Sequence, residues 1–119
     1  MNKVYHLANC NTCQRIIKDL DLDKYDFQLQ NIKEEKMTPE QVDEMGKLAG
    51  SYESLFSRRS MKFRAWGLGE KELTEDDYRK YIIEEYTFLK RPVFVIRNEI
   101  FIGNTKKNVE AIAAKLSTL

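Results

Sequence analysis

Cysteine is nearly absent from this chain, with two residues in 119. Two cannot build the multi-bridge framework that staples small secreted domains. Histidine occurs once, so no histidine-rich metal set is available. The chain has no low-complexity tract, internal repeat or interior linker, and two prolines and five glycines fit an ordinary globular composition. Net charge is only +1, so no bulk field draws the chain onto nucleic acid or an anionic membrane. No apolar run approaches the ~20 residues needed to span a bilayer. Met1-Asn2-Lys3 runs straight into a candidate strand with no signal-peptide pattern, which predicts a cytoplasmic protein with no membrane contact. What is present is ordinary: 42% hydrophobic and 33% charged residues, enough for one domain with a real core. A chain of this size buries roughly two-thirds of its unfolded surface.

Periodicity orders the elements. Val4 to Leu7 is a short apolar run, closed by Ala8-Asn9, and reads as a strand. Cys13, Ile16, Ile17 and Leu20 then recur at helical spacing, with Asn9 or Cys10 at the N-cap. Tyr25, Phe27 and Leu29 alternate with Asp26, Gln28 and Gln30, which predicts a second strand with the latter three on a wet face. Strand, helix and strand make a βαβ unit with parallel strands. The middle reads as helical. Thr38-Pro39-Glu40-Gln41 has the form of a capping box with proline at the first helical position. Val42, Met45, Leu48 and Ala49 are expected to face inward, with Gly50 as the stop. A short helix near Ser51 carries Leu55 and Phe56, and Thr74 caps another whose inward stripe is Tyr78, Tyr81, Ile82 and Tyr86. After Pro92, Val93 to Ile96 reads as a central strand. Arg97-Asn98-Glu99 turns it into Ile100-Phe101-Ile102, and Asn104 or Thr105 caps a last helix burying Val109, Ile112, Ala113 and Leu116.

The spacing Cys10-Asn11-Thr12-Cys13 is the most informative feature. A thiol at a strand-to-helix junction faces unpaired backbone amides and the positive end of the helix dipole, and both favour thiolate. Cys10 is therefore placed to be a nucleophile, and Cys13, one turn on, is within reach as a resolving thiol. The alternative is that both are small buried hydrophobes. Structural zinc would need about four ligands, and His6 is the sole further soft candidate. Covalent haem attachment needs histidine after the second cysteine, where Gln14 stands. His6 on a strand is either a core histidine or a partner of the thiol. Arg58, Arg59, Lys62 and Arg64 form a basic cluster with no acidic residue from Leu55 through Gly69, either an oxyanion holder or a solvated helix face. Arg91 is held extended by the following proline, and is either aimed at a site or part of a surface ion pair. Trp66 reads as a loop anchor.

The βα-β…ββα order with Cys-x-x-Cys at the first turn resembles a thioredoxin-like fold: α/β, a mixed four-stranded sheet with an all-helical insertion. Tyr5-His6, the helical insert and Leu89-Lys90-Arg91-Pro92-Val93 narrow the resemblance to the glutaredoxin-coupled arsenate reductases and the Spx-type regulators. It runs over essentially the whole chain as a single domain, with the thioredoxin-like core at 1–36 and 88–119 and the insertion at about 37–87. The resemblance implies Cys10 as nucleophile with His6 beside it. It implies Arg59, or else Arg58, and Arg91 as oxyanion-binding arginines, and Pro92 as a cis-proline opposite the thiol. Three positions depart from the reductases. Leu7-Ala8 replaces their Asn-Pro, Cys13 stands where they carry serine and Spx-type proteins a second cysteine, and no basic residue occupies the third arginine's place near Gly103-Asn104.

These readings give two functions. One is a thiol–disulfide oxidoreductase, with no bound cofactor or metal, regenerated by an external thiol system such as glutathione with glutaredoxin, or thioredoxin. The other is an Spx-like redox-sensing regulator that binds RNA polymerase. A monomer without direct nucleic-acid contact is expected, and the missing arginine predicts a poor arsenate reductase.

Overall fold

The computed structural model describes residues 2–119; Met1, the start of the expected run into the first strand, lies outside them. In chain order the regular elements are β1 (Lys3–His6), α1 (Asn11–Asp19), β2 (Gln28–Asn31), α2 (Pro39–Ala49), α3 (Met61–Ala65), α4 (Glu75–Glu84), β3 (Val93–Ile96), β4 (Glu99–Ile102) and α5 (Lys106–Leu116). Two compact units result: Met1–Glu35 with Arg91–Leu119, called the core unit below, and Lys36–Lys90, the helical unit.

The core unit holds one mixed sheet in the order β2-β1-β3-β4. β1 pairs in parallel with β2, Val4 opposite Leu29, and antiparallel with β3, Val4 opposite Phe94. β3 and β4 form the expected hairpin, turned by Arg97 at φ 57°. β3 is buried at all four residues, as an uninterrupted apolar run requires. One face of the sheet packs Val4, Phe94 and Ile96 against Ile16 of α1 and Ile112 and Leu116 of α5. Each such side chain contributes about 1.5–3 kcal/mol by leaving water.

The helical unit starts on its caps. Thr38 Oγ1 accepts the Gln41 N–H while Gln41 Oε1 accepts the Thr38 N–H, the box read from the sequence, and Gly50 ends α2 at φ 88°. Thr74 and Asp77 repeat the arrangement on α4. Phe56 stacks on Phe88 with centroids 5.0 Å apart and meets Tyr78 at 4.9 Å with the rings tilted by 59°. Trp66 anchors its loop against Phe88 and Tyr81.

Several local expectations are corrected. The second strand begins at Gln28, not Tyr25: Leu22–Lys24 forms a 3-10 turn, and the Tyr25 N–H, though its backbone is extended, donates back to the Leu22 carbonyl instead of joining the ladder. Its wet face is also reversed in part: Gln30 is buried while Leu29 is 51% exposed. Gln30 tolerates burial because its Nε2 donates to the Glu35 carbonyl. Leu29 is bare because β2 is a sheet edge that the helices do not cover. The stretch at Ser51 makes only a 3-10 turn, Glu53–Leu55, and α3 appears where only a basic run was visible. α4 stops at Glu84, leaving Tyr86 in a separate turn. Thr105, not Asn104, caps α5, and Ala113 faces solvent.

Candidate functional site

The turn from β1 into α1 positions the chemistry. Cys10 is the N-cap of α1, with extended backbone, and its Sγ accepts the Cys13 N–H at 3.4 Å. That amide is one of the four that a helix N-terminus leaves without an internal partner. The Cys10 N–H donates to the Leu7 carbonyl at 3.1 Å, and Gln14 Nε2 donates to the same carbonyl at 2.8 Å. Ala8 N–H donates to Asn31 Oδ1 at 3.2 Å, tying the turn to β2. Four residues of loop are thus held at both ends, and the thiol's place is set by backbone rather than by rotamer alone.

The two cysteines differ sharply in setting. Cys10 is partly exposed, whereas Cys13 is fully buried. Burial is the main reason the Cys13 thiol is pushed up to about 12, and a hydrogen bond to Cys10 and the charge of Cys10 push the same way. A backbone hydrogen bond at Leu7 and the positive charge of Arg91 act in the opposite direction. Arg91, in the loop before β3, therefore acts on the Cys13 thiol, and the Arg91–Pro92 bond that follows is cis.

His6, at the end of β1, is buried, and desolvation pulls its imidazole below the usual histidine range, against a smaller opposing hydrogen bond at Leu7. Gln14 Nε2 lies 3.1 Å from His6 Nδ1. That same nitrogen donates to Leu7 O, so it is the amide NH2 and not the oxygen that faces both groups. It carries only donors, so the contact is a hydrogen bond in the tautomer whose Nδ1 is unprotonated. Gln14 is the residue that sequence reasoning missed. It served only to exclude haem, although its position one helical turn after Cys10 already put it beside the turn.

Among the other expected residues, Cys10, Cys13, His6, Arg91 and Pro92 all lie in the core unit. Arg58 and Arg59 lie in the helical unit, and their environments separate them. Arg58 donates to Tyr78 Oη at 2.6 Å and to Glu53 Oε2 at 3.3 Å, with its guanidinium over the Phe56 and Tyr78 rings. That is a packing role. Arg59 is exposed, and its side chain makes no ion pair among the described residues.

A mixed four-stranded sheet with a cysteine pair on its first strand–helix turn and a cis-proline ahead of β3 defines a thioredoxin-like α/β protein. The chain belongs to the ArsC family, whose model matches residues 5–112. Among curated proteins it is 28% identical over 102 residues to the global transcriptional regulator Spx 2 of Bacillus anthracis, covering 84% of this chain and 77% of that protein. Among solved structures, an arsenate reductase from Vibrio cholerae superposes with a TM-score of 0.79 at 17% identity, covering 93% of this chain and 96% of the other. A Staphylococcus aureus protein solved by solution NMR gives 0.75 at 24% identity, covering 93% and 97%. Among the described residues, no helix is long and apolar enough to cross a membrane.

Proposed function

We propose that the chain is a thiol–disulfide oxidoreductase with Cys10 as nucleophile and Cys13 as resolving thiol. The observation that carries this reading is the asymmetry of the pair: an accessible Cys10 at a helix N-terminus, hydrogen-bonded by the Cys13 amide, and a buried Cys13 that holds its proton. In the first step the Cys10 thiolate attacks one sulfur of an oxidised substrate and a thiolate leaves, giving a mixed disulfide. In the second, Cys13 loses its proton to solvent, attacks Cys10 Sγ, and the substrate sulfur leaves as thiolate. Two electrons pass to the substrate, and an external dithiol or glutathione with glutaredoxin returns them by exchange with the Cys10–Cys13 disulfide.

The order of the steps follows from electrostatics. Cys10 raises the Cys13 thiol by charge and by hydrogen bond, and both influences vanish once Cys10 is a neutral disulfide. What then remains besides burial is the Leu7 hydrogen bond and the Arg91 charge, both of which favour the Cys13 thiolate. Formation of the mixed disulfide thus lifts the part of the suppression that Cys10 imposes, while burial continues to hold the Cys13 thiol up. His6 enters as a neutral imidazole holding the turn through Gln14. Arg91 and Pro92 of the core unit and Arg59 of the helical unit are the proposed substrate-binding residues.

Iodoacetamide should modify Cys10 at neutral pH and spare Cys13, and mild peroxide should then yield an intramolecular Cys10–Cys13 disulfide by mass spectrometry. Preferential labelling of Cys13, or oxidation to dimers and sulfinic acid only, overturns the assignment. Arsenate turnover with glutaredoxin and glutathione should be slow. Asn104 brings no charge near the third arginine's place, and losing one cation beside an oxyanion costs a few kcal/mol, about two decades in rate. Asn104→Arg should raise it; robust turnover by the wild type contradicts this reading.

A second reading has its own support in the match to the Spx regulator. In it the same cysteine pair is a redox switch on a protein that binds RNA polymerase. Retention of polymerase from lysate on immobilised protein, changed by oxidation, would favour it over the enzyme.

A further inference from the structure

α1 carries more than the thiol. Cys10, Gln14 and the pair Ile17 and Lys18 succeed one another a helical turn apart, so they share one flank of the helix. From Gln14 onward that flank lines an open groove of about 900 Å³ between α1 and the edge strand β2. Its floor is apolar: Ile17, Leu22, Tyr25, Phe27 and Leu29. Leu29 shares its sheet face with Val4, yet Val4 is fully buried and Leu29 is 51% exposed, so this end of the sheet lacks its cover. The rim is acidic, with Asp19, Asp21 and Asp23 against a single lysine, Lys18. Asp21 is already paired with Lys24 at 3.1 Å, whereas Asp19 and Asp23 make no ion pair among the described residues.

We infer that this groove is the substrate-docking extension of the thiol site and takes a protein segment of apolar residues flanked by lysine or arginine, bearing the sulfur on which Cys10 acts. The inference rests on the thiol reactivity proposed above. The apolar floor supplies burial for the segment and the aspartates supply the sign of the charge, which steers encounter and rejects acidic segments. Geometry sets the spacing. Asp19, which closes α1 half a turn round from Cys10 and lines the groove, lies nine residues on, about 13 Å along the helix axis at the usual rise. An extended segment covers that distance in about four residues. The basic residues should therefore sit about four positions from the reacting sulfur.

The reaction is a thiol exchange: the Cys10 thiolate attacks the peptide sulfur, and the chromogenic thiolate thionitrobenzoate leaves. Three disulfides of thionitrobenzoate serve as probes for the Cys13→Ser protein. One is made with 2-mercaptoethanol, one with an apolar cysteine peptide carrying lysines four positions either side, and one with the same peptide carrying glutamates there. The basic peptide should react about tenfold faster than the acidic one, each rate divided by that variant's rate with the mercaptoethanol probe. The preference should shrink at high salt, and disappear or reverse in Asp19→Lys/Asp23→Lys. Equal peptide rates, or a preference that the double substitution leaves intact, overturn the groove assignment. An unreactive Cys10 shows in the mercaptoethanol probe and counts against the oxidoreductase reading instead. The groove is then judged by titrating the serine form of each peptide into 15N-labelled protein. Selective shifts at Ile17, Leu22 and Leu29 with the basic peptide support it, and none overturn it.

Discussion

The core unit and the helical unit reach a defined fold by different means. In the core unit the long-range instructions are backbone hydrogen bonds. β1 pairs with strands that start about 25 and 90 residues further on, and a mainly aliphatic cluster around Phe94 packs on one face of them. In the helical unit the described residues form no sheet, only the isolated bridge between Phe56 and Leu89. There, beyond the Ser57–Phe88 and Lys90–Leu55 backbone bonds of that bridge, side chains carry the long-range contacts. Asp43 receives Arg79 Nε at 2.6 Å and Tyr52 Oη at 2.7 Å, Glu75 accepts the Tyr52 and Glu53 amides, and Arg58 bridges Glu53 and Tyr78. The aromatic stack around Phe56 is the apolar counterpart. A sheet fixes its neighbours through groups every residue has, whereas this helical insert names most of its distant contacts with particular side chains.

The strongest way to break this contrast is to remove one ring from each unit. Phe56→Ala should cost about 3–5 kcal/mol in urea unfolding, as large core truncations do. Phe94→Ala, whose ring meets that of Phe27 edge-on at 6.2 Å with no stacked partner among the described residues, should cost about 1 kcal/mol less. Equal losses would mean that ring stacking adds nothing to burial here. Gly46→Ala is next in size and tests the sign. Helix propensity alone favours alanine by about 1 kcal/mol. The added Cβ, however, would lie 2.6 Å from Tyr52 Cε1, on a ring whose hydroxyl is held by Asp43. Net destabilisation of about 1–2 kcal/mol is expected. A gain in stability would show that Tyr52 is not held as described.

The same contrast explains what the sequence made legible. Strands and caps are local patterns, so β1, β3, β4, Thr38, Thr74 and the stop at Gly50 were readable, and the resemblance supplied the cis bond at Pro92. The polar pins were not readable. Arg58, Asp43 and Arg79 have the types of a solvated face, and only the folded chain shows their partners. At the first turn, the N-cap place of Cys10 and the inward place of Cys13 were readable from spacing. Gln14 was not, because its role depends on a carbonyl seven residues earlier that no periodicity marks. Leu29 misled because alternation reveals which side chains share a face, not whether anything covers that face.

Caps give a smaller, sharper comparison. Thr38 and Thr74 each sit in a reciprocal box, whereas Thr105 of the core unit is seen to accept one amide, that of Asn108, at 3.2 Å. Replacing Thr38 or Thr74 by alanine should cost about 1–2 kcal/mol, and replacing Thr105 about 0.5–1 kcal/mol. Chemical unfolding of the three variants side by side measures the order. A Thr105→Ala loss equal to the others would show that the reciprocal bond from the side chain at the third helical position adds nothing.

The smallest effect separates the units by pH. Asp43 and Asp77 of the helical unit are held below the usual carboxylate range, chiefly by Arg79 and by the Thr74 amide respectively, so their contribution is lost only as pH falls below about 4. The core unit responds earlier. His6 is the chain's one histidine, and burial lowers its folded value from 6.5. As pH falls through 6.5 the unfolded chain takes up a proton that the folded chain refuses, so the unfolded state gains and stability declines. The decline ends once the folded imidazole also titrates, which keeps the total small. His6→Asn offers Gln14 an oxygen acceptor near the place of Nδ1 and cannot titrate. Urea midpoints from pH 7.5 to 5.5 should therefore slope downward in the wild type and be nearly flat in the variant. The same slope in both would move the acid sensitivity away from His6 and leave the core unit no more responsive in that range than the helical one.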